Sequence, residues 1–290
     1  MTTTRTFTVV GGDTRQGILA SLLQKRGQTV RVLGIGGETP PGCISCNGLL
    51  NAVHATDCVV LPLPCSCDGV FINIPSGDLK LSYSNLLEAM RPGQLLFGGK
   101  PDESLIKLAL EKHIDIFDYF GREEFAIRNA VPTAEGALQL AMEELPITLS
   151  GSRCIVLGYG RIGKLLSHML RDLHARVQVA ARSQRDLAWI RTLGMEPVKY
   201  PHLSQVLSQA DVVFNTVPSP ILGREELQAL KPNALVIDLA SRPGGVDFAT
   251  ANLLGVKVIW ALSLPGKVAP LTAAEIICDT ILNMIEEVRG

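Results

Sequence analysis

Apolar residues in this chain come in short runs separated by amphipathic stretches, and the two alternate from end to end. "TFTVVGG" at residues 6–12 predicts a strand, and the segment from about Arg15 to Arg26 predicts a helix. "TVRVLGI", "CVVLPLP", "GQLLFGG" and "HIDIFDYF" predict further strands, with a helix at "YSNLLEAM" and a loop at the Gly/Pro-rich "GGETPPGCISCNG". A helix from about Thr133 to Glu144 leads into a second series. There the predicted strands are "RCIVLGYG", "RVQVAAR", "DVVFNTVP", "NALVIDLA" and "KVIWALSLP", with helices at "GKLLSHMLRDLH", "QRDLAWIRTLG" and "REELQAL". A last helix is predicted from about Ala273 to Val288, capped by Thr272 or Ala273.

The two series echo each other. "DCVVLPLP" parallels "DVVFNTVP", and "LLEAMRPGQLLFGGKP" parallels "LQALKPNALVIDLASRP". In each, a short helix stops at a basic residue and proline, and an apolar strand follows. Uniformly apolar strands fit parallel sheets covered on both faces. The predicted fold class is therefore α/β, with two Rossmann-like doubly wound parallel-sheet domains and a cleft between them. The expected boundaries are 1–130 for a substrate domain and 131–274 for a dinucleotide-binding domain. Residues 275–290 form a final helix that packs back on the first.

"IVLGYGRIG" carries the chemistry that narrows this further. Gly158, Gly160 and Gly163 stand in G-x-G-x-x-G, after an apolar strand and before an amphipathic helix with Leu165, Leu166, Met169 and Leu173 on one face. Gly158 allows the tight turn, Gly160 lets a pyrophosphate approach the backbone, and Gly163 lets helix and strand pack closely. Arg161 and Ile162 complete the turn at a helix start that favours phosphate. A chain that binds NAD usually ends the next strand in an acid that holds the ribose hydroxyls. Here that strand ends in Ala181 and Arg182, followed by Ser183, with Arg185 nearby. Alanine removes the repulsion of a 2′-phosphate, and arginine can grip one with two hydrogen bonds. The pattern predicts NADP(H), with NAD as the alternative.

Three later loops follow strands of the same domain. "NTVPSPIL" brings Asn215, Thr216, Val217 and Pro218 toward the nicotinamide side, "DLASRPGGVDF" brings Arg242, and "LSLPGKVAPLTAAE" brings Lys267. In the first domain, "GGDTRQ" sets Asp13 and Arg15 at a helix start, and "FGGKP" adds Lys100. A cleft lined by Arg15, Arg242 and Lys267 would suit a small dicarboxylate substrate. These three cations are the expected catalytic set.

Composition removes other classes. The chain has 290 residues, a net charge of −1, and 47% hydrophobic against 19% charged residues, which gives no reason to expect nucleic acid or an anionic membrane as partner. No apolar run is long enough to span a bilayer and the start lacks a signal-peptide core, so a cytoplasmic location is expected. Five of the seven cysteines (Cys43, Cys46, Cys58, Cys65 and Cys67) lie close together. The "CISC" and "CSC" spacings do not make two matched pairs, so reduced structural thiols are expected and no metal. His54, His113, His168, His174 and His202 fall in helices or at element edges and offer no acid/base for hydride transfer.

Taken together, "VVGGDTRQ", "GYGRIGK", "VAARS", "NTVPSPIL", "DLASRPGGVDF" and "ALSLPGKVAPLTAAEII" resemble the A-subunit family of dipicolinate synthase over nearly the whole length. More distantly, "GYGRIG" with "IDLASRPGGVD" is similar to the 2-hydroxyacid dehydrogenases, where an arginine near the position of Arg242 binds the substrate carboxylate. "PGKVAP" is similar to S-adenosylhomocysteine hydrolase. The dehydrogenases' catalytic histidine, expected near "SLPGK", is missing. The resemblance implies an NADP-dependent oxidation of dihydrodipicolinate to dipicolinate in spore formation, in the cytoplasm of the mother cell. It also implies a partner, the flavoprotein-like B-subunit of dipicolinate synthase, and a homodimer is left open. Two alternatives remain: a non-catalytic NADP-binding component of a two-subunit synthase, and a small-dicarboxylate or 2-hydroxyacid reductase.

Overall fold

A computed structural model describes residues 4–75 and 79–289. The chain divides into two compact units. One comprises residues 1–128 and 269–290, the other residues 129–268.

Unit one starts with β1 (Thr6–Val10), α1 (Thr14–Lys25), β2 (Thr29–Leu33), β3 (Ile44–Ser45) and α2 (Leu49–Val53). It continues with β4 (Cys58–Val60), α3 (Tyr83–Ala89), β5 (Leu95–Gly98), α4 (Glu103–Glu111) and β6 (Asp115–Asp118). The chain passes into unit two within α5 (Glu123–Glu144). Unit two holds β7 (Arg153–Leu157), α6 (Arg161–Asp172), β8 (Arg176–Ala180), α7 (Gln184–Thr192), β9 (Glu196–Val198) and α8 (Leu203–Leu207). Then come β10 (Val212–Asn215), α9 (Arg224–Ala229), β11 (Leu235–Asp238), α10 (Phe248–Leu254), β12 (Lys257–Trp260) and α11 (Leu264–Val268). The final helix, α12 (Pro270–Arg289), belongs to unit one.

Each unit carries one six-stranded sheet, ordered β3-β2-β1-β4-β5-β6 and β12-β11-β10-β7-β8-β9, with every strand pairing parallel. Counted from each unit's own first strand, the two orders are the same, and this is the Rossmann-like doubly wound plan. The strands are apolar throughout because both faces of each sheet are covered. On β7, Cys154 and Val156 enter one core while Ile155 and Leu157 enter the other. On β1, Phe7 and Val9 face one core and Val10 the opposite one. α12 supplies Ile276, Ile277 and Ile281 to the core around Phe7, each worth about 1.5–3 kcal/mol when fully buried.

Several details depart from the sequence pattern. β3 and β9, of two and three residues, were not expected, because edge strands this short carry no measurable period. α2, α4, α8 and α10 were also missed. α5 begins at Glu123, ten residues before the expected Thr133, and carries Pro132 in its interior. The buried stripe of α6 is Gly163, Leu166, Ser167 and Leu170, while Leu173 is exposed. "LSLPGKV" is not all loop: α11 occupies its second half, and the last helix starts at Pro270.

The cysteines are free thiols, with Cys58, Cys65, Cys154 and Cys278 buried. Burial pushes the Cys65 thiol up to about 12 and those of Cys154 and Cys278 to about 11, which keeps them protonated and inert. Among the described residues no cluster of three or more His, Cys, Asp or Glu could hold a metal ion. Among the same residues no helix is long and apolar enough to cross a membrane.

Candidate functional site

In unit two, register pairs Asp238 with Asn215, Asn215 with Leu157, and Leu157 with Ala180. The carboxyl ends of β11, β10, β7 and β8 therefore stand level and side by side. The loops that follow them are the glycine turn, the Thr216 loop, the Arg242 loop and the Ala181–Arg182 step. The glycine turn falls between β7 and β10, where the strand order reverses and open α/β sheets take their ligands.

The glycines have distinct surroundings. Gly158 holds φ +94°, and a Cβ there would lie 2.6 Å from Thr216 Oγ1 and 2.7 Å from Val217 Cγ2. A Cβ on Gly163 would overlap the Gly158 carbonyl oxygen. Gly160 differs, since a Cβ there would meet nothing within 4 Å. Gly160 is also the N-cap of α6 and offers no side-chain cap. The helix thus opens onto free space with its first N–H groups available, the condition for a phosphate. Thr216 Oγ1 donates to the Leu157 carbonyl at 2.8 Å, fixing the next loop against the glycine turn. Arg161 and Pro218 are exposed, and Ile162 and Val217 are half-buried.

At the end of β8, Ala181 is buried and Arg182 is exposed. The Arg182 guanidinium lies 5.8 Å from the centre of the Tyr200 ring. Ser183 caps α7, its hydroxyl oxygen accepting from the Asp186 N–H at 3.0 Å and leaving its O–H to donate outward. Arg185 lies 3.6 Å from Asp186 and is largely exposed.

The Arg242 loop is braced by Asp238, a residue without a role in the sequence pattern. Asp238, fully buried, accepts from Asn215 Nδ2 at 2.8 Å, from the Ala240 N–H at 3.0 Å and from the Gly245 N–H at 2.9 Å. Asn215 in turn donates to the Val217 carbonyl and accepts from the Val217 N–H. Gly245 is tight against this network, since a Cβ would overlap Asn215 Nδ2. Trp260 Nε1 donates to the Ala240 carbonyl at 3.0 Å, and Arg242 stands 5.8 Å over the Trp260 ring. Arg242 is exposed at the tip of a loop whose base is bonded at both ends. An acid inside the apolar run "LVIDLA" was the available signal for Asp238. Lys267 is exposed on α11, a helical rather than a loop position.

Arg15 is in unit one and is not a free cation. Its Nε and Nη2 donate to the Asp13 carboxylate, Nη2 also donates to the Leu63 carbonyl at 2.9 Å, and its side chain is 10% exposed. Burial raises the Asp13 carboxyl, but the bonds from Arg15 outweigh it and hold the group below the usual carboxylate range. Beside this neutral pair lies Gln16, 2% exposed, whose Nε2 has no partner among the described residues. Lys100 is exposed after β5, its N–H bonded to Asp118.

This geometry has counterparts among known proteins. Residues 6–120 match the family model of the N-terminal domain of the dipicolinate synthase A-subunit, and residues 126–249 match that of the D-isomer specific 2-hydroxyacid dehydrogenase NAD-binding domain. The dipicolinate synthase A-subunit of Bacillus subtilis is 32% identical over 287 residues, covering 97% of this chain and 96% of that protein. The chain belongs to the A-subunit family of dipicolinate synthase. Crystal structures of the family agree with its fold. That from Bacillus halodurans has a TM-score of 0.90 at 27% identity, covering 98% of each chain. That from Bacillus subtilis has a TM-score of 0.88 at 30% identity, covering 100% of this chain and 98% of its own. As a member of this family with a dehydrogenase NAD-binding domain, the chain is an NAD(P)-dependent oxidoreductase that uses a nicotinamide dinucleotide. The open α6 N-terminus and the space over Gly160 fit that cofactor.

Proposed function

We propose that the chain is the NADP-dependent component that oxidises dihydrodipicolinate to dipicolinate, working with a second synthase component in spore formation. The observation that carries this reading is the level alignment of four strand ends in unit two. It sets the phosphate turn, a strand end without an acid, and a rigidly braced arginine on neighbouring loops.

The groups divide as follows. Gly158, Gly160, Arg161, Ile162 and Gly163 hold the pyrophosphate at the start of α6, with Thr216, Val217 and Pro218 lining the way to the nicotinamide. Arg182 and Ser183 take the adenosine 2′-phosphate, which the small Ala181 admits. Arg242 binds a substrate carboxylate, its planar head matching the two oxygens. The cofactor, when bound, supplies the hydride acceptor. The substrate gives up one hydride and one proton and becomes an aromatic ring. Aromatisation drives the step, so water suffices to take the proton and positioning contributes most of the catalysis.

The test is absorbance in the reduced-nicotinamide band with the purified chain, NADP⁺ and dihydrodipicolinate, with and without the second component. Reduction by the chain alone supports the reading. Reduction only when the partner is present would favour the other reading, a cofactor-binding component with the chemistry in its partner.

A further inference from the structure

We propose that Lys199 is a second cation for the cofactor's 2′-phosphate, completing with Arg182 a two-sided phosphate clamp. This rests on the NADP reading above and adds a specificity-determining residue to it.

β9 lies beside β8 with Val198 paired to Ala180, and the Ala181 N–H donates to the Val198 carbonyl at 3.2 Å. Lys199 therefore leaves β9 at the level where Ala181 and Arg182 leave β8. Between them lies a pocket of about 250 Å³ whose lining includes Ala181, Arg182, Gln184, Leu187, Lys199 and Tyr200. Its lining holds two cations and no carboxylate. Neither Arg182 nor Lys199 has an acidic partner among the described residues. Asp186, the nearby acid, faces Arg185.

Two uncompensated cations on one small pocket repel each other unless an anion sits between them. A phosphate monoester carries nearly two negative charges near neutral pH and has oxygens for both partners. The Tyr200 ring lies under the Arg182 guanidinium and leaves its N–H edge for bidentate bonding. Lys199 brings a mobile point charge from the neighbouring strand, which suits the remaining oxygen. A bare ribose hydroxyl would make little use of either cation, so both act on the choice between the two dinucleotides.

The experiment titrates the full chain with 2′,5′-ADP and with 5′-AMP by calorimetry, for wild type, Lys199→Ala and Lys199→Arg. Lys199→Ala should weaken 2′,5′-ADP about tenfold, the value of one charge-assisted hydrogen bond. It should leave 5′-AMP within about twofold, which also shows that the variant is folded. Lys199→Arg should restore most of the loss. Wild type that prefers 2′,5′-ADP while Lys199→Ala binds it equally well would overturn the role of Lys199 alone. Wild type that binds both probes equally would overturn the NADP reading, and this inference with it.

Discussion

The side chains of Asn215 and Asp238 meet at 2.8 Å across the ends of β10 and β11, buried from solvent, and tie the Thr216 loop to the Arg242 loop. Each of the three bonds to the Asp238 carboxylate comes from an N–H. Asp238→Asn would turn an amide donor toward one of those donors, which should cost about 2–3 kcal/mol in unit two. Asp238 touches neither glycine turn nor phosphate pocket, so the KM for the dicarboxylate should rise while binding of 5′-AMP is kept. Equal losses on both would mean general unfolding instead of a displaced Arg242 loop. Asn215→Asp places two carboxylates within bonding distance, and one must then hold a proton. The raised carboxyl makes that variant more stable at about pH 5 than at about pH 8, opposite to an ordinary paired aspartate. Urea midpoints across that range check the sign.

Arg242 stands exposed over Trp260 with no carboxylate partner among the described residues. Its removal should therefore cost substrate binding and leave stability nearly unchanged. Arg242→Ala should raise the KM for the dicarboxylate about tenfold or more, with Arg242→Lys recovering only part, because the two-pronged geometry is lost. Steady-state kinetics decide this, and an unchanged KM would end the clamp role.

Gly160 and Gly163 give opposite results on substitution by alanine. The Gly163 methyl would press on the Gly158 carbonyl, backbone against backbone, which should cost about 1–3 kcal/mol or more. The Gly160 methyl meets only open space, so stability should change by less than about 1 kcal/mol. It stands, however, where a pyrophosphate approaches, and dinucleotide affinity should fall about tenfold or more. Thermal unfolding with and without cofactor separates the two effects.

The glycine turn, the Ala181–Arg182 strand end and the shared plan of the two halves were legible because each is encoded locally, in spacing or in a few adjacent residues. Asp238 was not, because a buried acid declares its role only through partners on other strands. Lys199 was hidden behind β9, a three-residue strand containing Pro197. The charge of Arg15 is visible in sequence, whereas its pairing with Asp13, two residues away, depends on side-chain geometry. The early part of α5 was lost because proline weighs heavily in a local reading, whereas a long helix packed at both ends tolerates one.

Gln16 keeps a buried amide Nε2 without a partner among the described residues, its side chain close against Gly12. An unpaired buried donor costs about 1–3 kcal/mol. Gln16→Met keeps the length of the side chain and removes that cost, so stability should stay unchanged or rise by about 1 kcal/mol. Chemical unfolding followed by far-ultraviolet dichroism provides the measurement. A loss above about 2 kcal/mol would show that the amide is bonded in solution.

Asp279 anchors α12 within unit one, taking Arg26, the C-cap residue of α1, at 2.5 Å and Arg128 from α5 at 2.7 Å. Burial raises its carboxyl, but the bonds from Arg128 and Arg26 prevail and hold it below the ordinary value near 3.8. A carboxyl depressed on folding stabilises above its unfolded value, and that contribution disappears as pH falls through the folded value. Asp279→Asn should therefore cost about 1 kcal/mol at neutral pH, allowing for partial exposure, and progressively less as pH falls below the ordinary carboxylate range. Trp189 and Trp260 are the only tryptophans and lie in unit two, so fluorescence follows that unit. Hydrogen exchange in α12 is the appropriate readout for unit one. Faster exchange there at neutral pH, converging with wild type in acid, is the expected result, and a constant difference across the pH range would rule out the ion pairs as its cause.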